Sequence, residues 1–215
     1  MKYLMWISCV LLLVACTTVD PYTQEGKTSN TAKGAGIGAV AGAVLGAATS
    51  NHKDRGKDAL KGAAIGGAVG GGAGYYMDRQ EALLRQKLET SGVRVVREGK
   101  NIRLIMPGDV TFDVNSYAIR PEFFATLKSV ALVLVEYNKT TVRITGHTDS
   151  SGNAEKNQTL SEQRAASVAS YLVQQDVASG RLQQYGYGSR MPLDTNDTVA
   201  GRTRNRRVEL EILPF

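Results

Sequence analysis

Thr145-Gly146-His147-Thr148-Asp149-Ser150-Ser151-Gly152, followed by Asn157, Leu160-Ser161 and Arg164-Ala165, joins the end of a strand to a glycine-bearing turn and the start of a helix. Residues 141–146 alternate Val142 and Ile144 with Thr141, Arg143 and Thr145, the pattern of a half-exposed strand. A helix is expected over residues 156–175, with Leu160, Val168 and Leu172 on its inner side. Arg164 falls one turn after Leu160, at the edge of that apolar stripe, and a guanidinium partly withdrawn from water needs a partner. Asp149, at the mouth of the turn, is the nearest carboxylate the local chain offers. An acid and a base facing one cleft suit a ligand that carries both an ammonium and a carboxylate. Asp accepts from the first, and Arg grips the second with its planar fork.

The same reading extends outward from this corner. Downstream, residues 182–186 read as a short strand, and Val208, Leu210 and Ile212 alternate with Arg207, Glu209 and Glu211 in a last one. Upstream, Pro121-Glu122 opens a helix with Phe124, Leu127, Val130 or Ala131, and Leu134 as its inner positions. Residues 93–97 and 102–106 bracket Glu98-Gly99-Lys100-Asn101 as a hairpin. The resulting order predicts an α/β sandwich over residues 92–215, a mixed sheet with helices packed on one face, its parallel pairs joined by right-handed crossovers.

The run T-G-H-T-D-x-x-G-x4-N-x-x-L-S-x-x-R-A resembles that of the OmpA-like peptidoglycan-binding family. Phe112-Asp113-Val114-Asn115-Ser116, with Ile119 and Pro121, resembles the family's opening strand, turn and first helix, although Tyr117 and Ile119 stand where Ala and Leu are commoner. Gly186-Tyr187-Gly188, Pro192, Asn196, Thr198, Gly201-Arg202 and Asn205-Arg206-Arg207-Val208-Glu209 are similar to its closing segment. The resemblance implies a ligand, the meso-diaminopimelate-containing stem peptide of peptidoglycan, whose free D-centre presents an ammonium and a carboxylate. By motif position Asp149 takes the ammonium and Arg164 the carboxylate. Backbone groups around Thr148 and Asn157 add hydrogen bonds, Asp113 and Asn115 line the rim, and Arg206 or Arg207 closes the site.

The start of the chain places this binding domain. Met1-Lys2, an apolar run over residues 3–14 and Leu13-Val14-Ala15-Cys16 have the form of a lipoprotein signal peptide, residues 1–15, cleaved before an acylated Cys16. Each buried lipid methylene contributes about 0.8 kcal/mol, so several chains hold a protein on a membrane almost permanently. Thr17 rather than Asp follows the cysteine, which by analogy with lipoprotein sorting favours the outer membrane, with the C-terminal domain in the periplasm. Of the two cysteines, Cys9 leaves with the signal peptide and Cys16 is acylated, so no thiol remains for a disulfide, a metal or a nucleophile.

Beyond a linker over residues 16–33 lies a glycine- and alanine-rich region, residues 34–77, in two segments separated by Lys53-Asp54-Arg55-Gly56-Lys57-Asp58. Gly38, Gly42 and Gly46 form one file at a spacing of four, and Gly62, Gly66, Gly70 and Gly74 another. Such files lie along one side of a helix and let a second backbone approach closely, which predicts a helical hairpin. Three readings stand side by side: a flexible linker, a hairpin in or on a membrane, and self-association through the files. The region resembles the glycine-zipper segments of some outer-membrane lipoproteins. From Asp78 the sequence turns charged, and a connecting helix is expected over residues 78–91, stopping near Ser91-Gly92.

Charge and residue types exclude other classes. The chain has 26 Lys+Arg against 20 Asp+Glu, but the basic residues are scattered apart from Arg202, Arg204, Arg206 and Arg207, so nucleic acid is not expected. His147, Asp149 and Ser150 or Ser161 are the residue types of a hydrolase, yet no nucleophile elbow accompanies them, and the second histidine, His52, lies in the charged bend. His147 is expected to hydrogen-bond the turn. No catalytic residue, cofactor or metal is expected. The expected function is a non-enzymatic tether between outer membrane and cell wall, and the alternative is a self-assembling glycine-zipper membrane element or pore that the wall-binding domain positions.

Overall fold

The computed structural model describes residues 17–19, 26–28, 30–49 and 55–215; the signal peptide, Cys16 and residues 20–25 and 29 of the linker expected over residues 16–33 lie outside them. The chain divides into two compact units, Met1–Arg79 and Gln80–Phe215.

In the first unit, β1 (Thr17–Val19) and β2 (Gly26–Thr28) pair antiparallel. Helix α1 (Asn30–Thr49) and the first part of α2 (Arg55–Leu88) then form the glycine-rich hairpin. A methyl group built on Gly38 would collide with the Gly66 carbonyl, one on Gly42 with the Gly62 carbonyl, and one on Gly66 with the Gly38 carbonyl. The two files thus meet each other inside one chain, with backbone against backbone. Interior glycine costs a helix about 1 kcal/mol relative to alanine, and the close approach is what that cost makes possible. Ile37, Val40, Val44, Leu45, Leu60 and Ile65 face outward, between 61% and 73% exposed. Among the described residues no helix is long and apolar enough to cross a membrane. The charged segment expected as a separate helix is the continuation of α2, a single helix of 34 residues. It stops where Ser91 N–H and Oγ both donate to the Leu88 carbonyl, before Gly92 with φ +76°.

The second unit is the expected α/β sandwich. Its remaining elements are β3 (Arg94–Glu98), β4 (Asn101–Pro107), a helical turn α3 (Gly108–Thr111), α4 (Phe124–Glu136), β5 (Thr140–His147), α5 (Ala154–Gln174), β6 (Leu182–Gly186), α6 (Val199–Asn205) and β7 (Arg207–Pro214). The sheet order is β3-β4-β7-β5-β6, antiparallel except for the β5–β6 pair that α5 connects. Strand alternation sends Leu104, Ile144 and Leu210 to one face, each 0% exposed, together with buried Leu127 and Val130 of α4 and Val168 and Leu172 of α5. The same alternation gives the opposite face Arg143, Glu211, Arg207 and Glu209. There Arg143 Nη1 lies 2.9 Å from Glu211 Oε2, and Arg207 Nε 2.6 Å from Glu209 Oε1.

Two local expectations are corrected. Pro121–Phe123 is a 3-10 turn ahead of α4, which advances the phase of the chain, so Phe123 is buried and Phe124 lies 37% exposed at the surface. Phe112 does not open a strand; it follows α3 and makes a single bridge to Ile119.

Candidate functional site

β5 and α5 bring the corner together because two glycines let the helix close on the strand ends. A methyl group on Gly146 would strike the Ser161 carbonyl, and one on Gly186 the Ser161 hydroxyl and the backbone of Glu162. Beyond β5, Thr148 N–H donates to the Gly188 carbonyl at 2.9 Å, and Asn153 caps α5 by accepting from Lys156 N–H at 3.0 Å. Asn157 Nδ2 ties the turn shut, donating to the Ser151 carbonyl at 2.9 Å and the Asp149 carbonyl at 3.3 Å.

This turn aims Asp149 into a groove of about 490 Å³. Asp149 Oδ1 accepts from Ser151 N–H at 2.8 Å and Oδ2 from Arg206 Nη1 at 2.9 Å. Burial pushes this carboxyl up, but the hydrogen bonds from Arg206 and Ser151 outweigh it and hold the group below the usual carboxylate range. Arg206 also grips Asp109 with two bonds of 3.1 Å, and these bonds raise its own pKa. Asp109, Arg206 and Asp149 therefore form a continuous charged chain along one wall of the groove.

Arg164 stands on the other wall. Its Nε donates to the Ser116 carbonyl at 2.9 Å, and its guanidinium carbon lies 5.0 Å from the centre of the Phe112 ring. Among the described residues, three buried polar residues are arginines: Arg164, Arg181 and Arg207 at 5%, 9% and 5% exposure. Arg181 spends its guanidinium on the carbonyls of Leu134, Tyr137 and Thr140, and Arg207 on Glu209 and the carbonyls of Asn205 and Met191. Among the described residues Arg164 has only the one carbonyl, and both its terminal nitrogens lack a hydrogen-bond partner there. Burial, then the charge of Arg206, pulls its pKa down, as befits a cation short of anions. Thr148 Oγ1 on the same groove is buried without a hydrogen-bond partner.

The groove brings together seven of the residues expected from sequence: Asp113, Asn115, Thr148, Asp149, Asn157, Arg164 and Arg206. Asn115 reaches the rim through a left-handed backbone, φ 54°. Arg207 is not brought there: it is the first residue of β7, after the bend at Arg206, and lies on the face of the sheet that carries Glu209, to which it donates. The expected partnership of Asp149 with Arg164 is also replaced, since among the described residues no carboxylate lies within ion-pair distance of Arg164 and Asp149 is held by Arg206. Sequence reasoning missed Asp109. Its signal was the unexplained arginine cluster, but the pairing of β4 with β7 is needed to see that Arg206 meets it. His147 does not bond the turn: Nε2 lies 3.1 Å from Thr145 Oγ1 and the ring packs on Tyr187, away from the groove. Burial, reinforced by the charge of Arg207, lowers its pKa to about 4. Among the described residues no cluster suited to a metal ion occurs.

A family model described as the OmpA family matches residues 111–206, and one described as a YMGG-like Gly-zipper matches residues 1–78. The chain is 50% identical over 209 residues to the probable lipoprotein YiaD of Escherichia coli strain K12, covering 97% of this chain and 95% of that one. A solved structure described as the cell wall anchor of the T6SS from Pseudomonas aeruginosa superposes with a TM-score of 0.58 at 29% identity, covering 65% of this chain and 99% of the other. A putative MotB like protein from Desulfovibrio vulgaris also has a TM-score of 0.58, with 22% identity over 66% of this chain and 96% of its own, a likeness of fold.

Proposed function

The chain belongs to the family of the lipoprotein YiaD, an OmpA-family domain behind a YMGG-like Gly-zipper segment, and from that membership we propose that it is a non-enzymatic tether between the outer membrane and the cell wall. The membrane end is an acylated Cys16. The wall end is the groove of the second unit in the periplasm, which takes the zwitterionic centre of a meso-diaminopimelate stem peptide. The carrying observation is Arg164, buried at 5% with both terminal nitrogens unfilled among the described residues. A carboxylate docked there completes a bidentate pair that the protein itself leaves open. The ammonium goes to Asp149, whose two oxygens accept one bond each from Ser151 and Arg206 and keep room for further donors. Asp109 holds Arg206 by two bonds, so Arg206 does not have to consume all of the Asp149 charge. Asn157, whose amide nitrogen closes the turn, presents its side-chain oxygen to the same groove as an acceptor for the peptide backbone.

The hairpin belongs to the lipid side of the tether. Its glycine files face each other within one chain, so what it offers to its surroundings is Ile37, Val40, Val44 and Leu45 on α1 and Leu60 and Ile65 on α2. An aliphatic outside around a glycine inside suits acyl chains better than water. Titration of the full chain with a diaminopimelate-containing stem peptide tests the wall end. Saturable binding abolished by Arg164→Ala is the expected result, and absence of binding to the wild-type chain would sink the proposal.

A further inference from the structure

A second groove, of about 460 Å³, lies along the same helix as Arg164 and is not used by the clamp. Helix α5 supplies Arg164 to the first groove and Gln163, Ser167, Ser170 and Gln174 to the second. On the facing side the two are linked through one segment, since the Ser116 carbonyl holds Arg164 while the next residue, Tyr117, lines the second groove. Tyr117 is 51% exposed, and Phe124, which stacks on Tyr171 at 5.0 Å, is 37% exposed. The Tyr171 hydroxyl donates to the Phe124 carbonyl at 3.1 Å, which fixes that stack in place. Among the described residues the side chains of Gln163, Ser167 and Ser170 have no hydrogen-bond partner, so their donors and acceptors face the groove unspent.

Aromatic surface combined with unspent amides and hydroxyls is the chemistry that receives a pyranose, with its apolar C–H faces and its rim of hydroxyls. The second groove is also within reach of the clamp's own ligand. From Arg164 to Gln174 the helix rises about 15 Å at ~1.5 Å per residue, a distance that about four or five extended peptide residues span. We propose that this groove is a sugar subsite: it seats the amino sugar to which the stem peptide is attached, so that the domain reads both the peptide and the glycan of one wall fragment. The inference rests on the proposed peptide clamp and extends it. Tyr117 provides the exposed stacking surface, the Phe124–Tyr171 pair the fixed floor, and Gln163 and Ser167 the hydrogen bonds.

The test compares two probes on the full chain, a diaminopimelate-containing stem peptide alone and the same peptide attached to its disaccharide. The disaccharide-bearing probe is expected to bind about tenfold more tightly than the peptide alone, the gain of one well-stacked ring with its hydrogen bonds. In a Tyr117→Ala/Gln163→Ala double variant, both sites being at the surface, that advantage is expected to vanish while affinity for the bare peptide stays unchanged. Equal binding of the two probes by the wild-type chain would overturn the sugar subsite and leave the clamp standing. Loss of bare-peptide affinity in the double variant would place those residues in the clamp and equally overturn a separate subsite. Binding of neither probe would remove the clamp and the subsite with it.

Discussion

In the hairpin of α1 and α2, glycines 38, 42, 62 and 66 occupy the contact and the branched aliphatics Ile37, Val44, Leu60 and Ile65 stand outside. In the sheet domain the arrangement is inverted: Leu104, Ile144 and Leu210 are fully buried, and the opposite face of the sheet carries the ion-paired Arg143, Glu211, Arg207 and Glu209. The domain gains stability by taking large apolar side chains out of water. Among the described residues the hairpin contact is made by glycines, and what its geometry permits is backbone approach. One chain therefore contains two unlike outer surfaces, a charged one on the sheet domain and an aliphatic one on the hairpin.

The comparison predicts opposite responses to changes of side-chain size. In the domain, Leu210→Ala removes volume from a fully buried position and is expected to cost about 2–5 kcal/mol in urea unfolding. A loss below about 1 kcal/mol, the size of an ordinary surface substitution, would mean that the sheet core does not carry the domain. Comparable in size, but in binding rather than stability, is Arg164→Ala. It leaves the ligand carboxylate without its counterpart and is expected to weaken stem-peptide affinity by about 2–5 kcal/mol, with circular dichroism unchanged. Because Asp149 is held below the usual carboxylate range, the ammonium half of that grip persists as the solution is acidified and is lost only as pH falls through the lowered pKa.

His147 predicts a different acid response in the domain. Its pKa is about 4 in the fold against 6.5 unfolded, so the unfolded chain binds the extra proton. Stability is therefore full above the unfolded value and falls as pH drops from 6.5 toward 4, by up to ~3 kcal/mol. Urea unfolding at pH 7 and pH 4.5 measures this, and His147→Gln should flatten that part of the profile. In the hairpin the sign of the size effect reverses. Gly42→Leu places a side chain against the Gly62 carbonyl and is expected to cost about 1–3 kcal/mol, read as faster amide exchange in α1. Leu60→Ala, at 73% exposure, should change hairpin stability in water by no more than ~0.5 kcal/mol. It should instead reduce partition of the chain into phospholipid vesicles, and an unchanged partition would break the contrast drawn between the two surfaces.

Much of this was legible in the residues. Alternation in residues 141–146 and 207–212 marked β5 and β7, and the spacing of four marked the glycine faces that meet. Of the seven groove residues, Asp149 and Arg164 could be named because their motif is local, a strand end, a turn and a helix start, whereas Asp113, Asn115, Thr148, Asn157 and Arg206 were named through the family resemblance. The misses have physical reasons. Phe123 rather than Phe124 is buried because a 3-10 turn winds tighter than an α-helix and changes which neighbour faces in. The single helix Arg55–Leu88 was read as two because composition changes at Asp78 while backbone geometry does not.

The sequence by itself determined the class of sheet, the two apolar periodicities, the place of an acid and a base beside one turn, and the glycine spacing that allows two helices to touch. These depend on residues within a few turns of one another, where the period of a strand or helix decides which side chains share a face. Tertiary structure alone decided which arginine holds Asp149. Arg206 meets Asp109 across 97 positions because β4 pairs with β7, and Arg207, its neighbour, lies on the face of the sheet that carries Glu209. With Asp149 satisfied from that side, Arg164 is left buried with open donors, and an incomplete charge of that kind depends on strand pairing that no local pattern encodes.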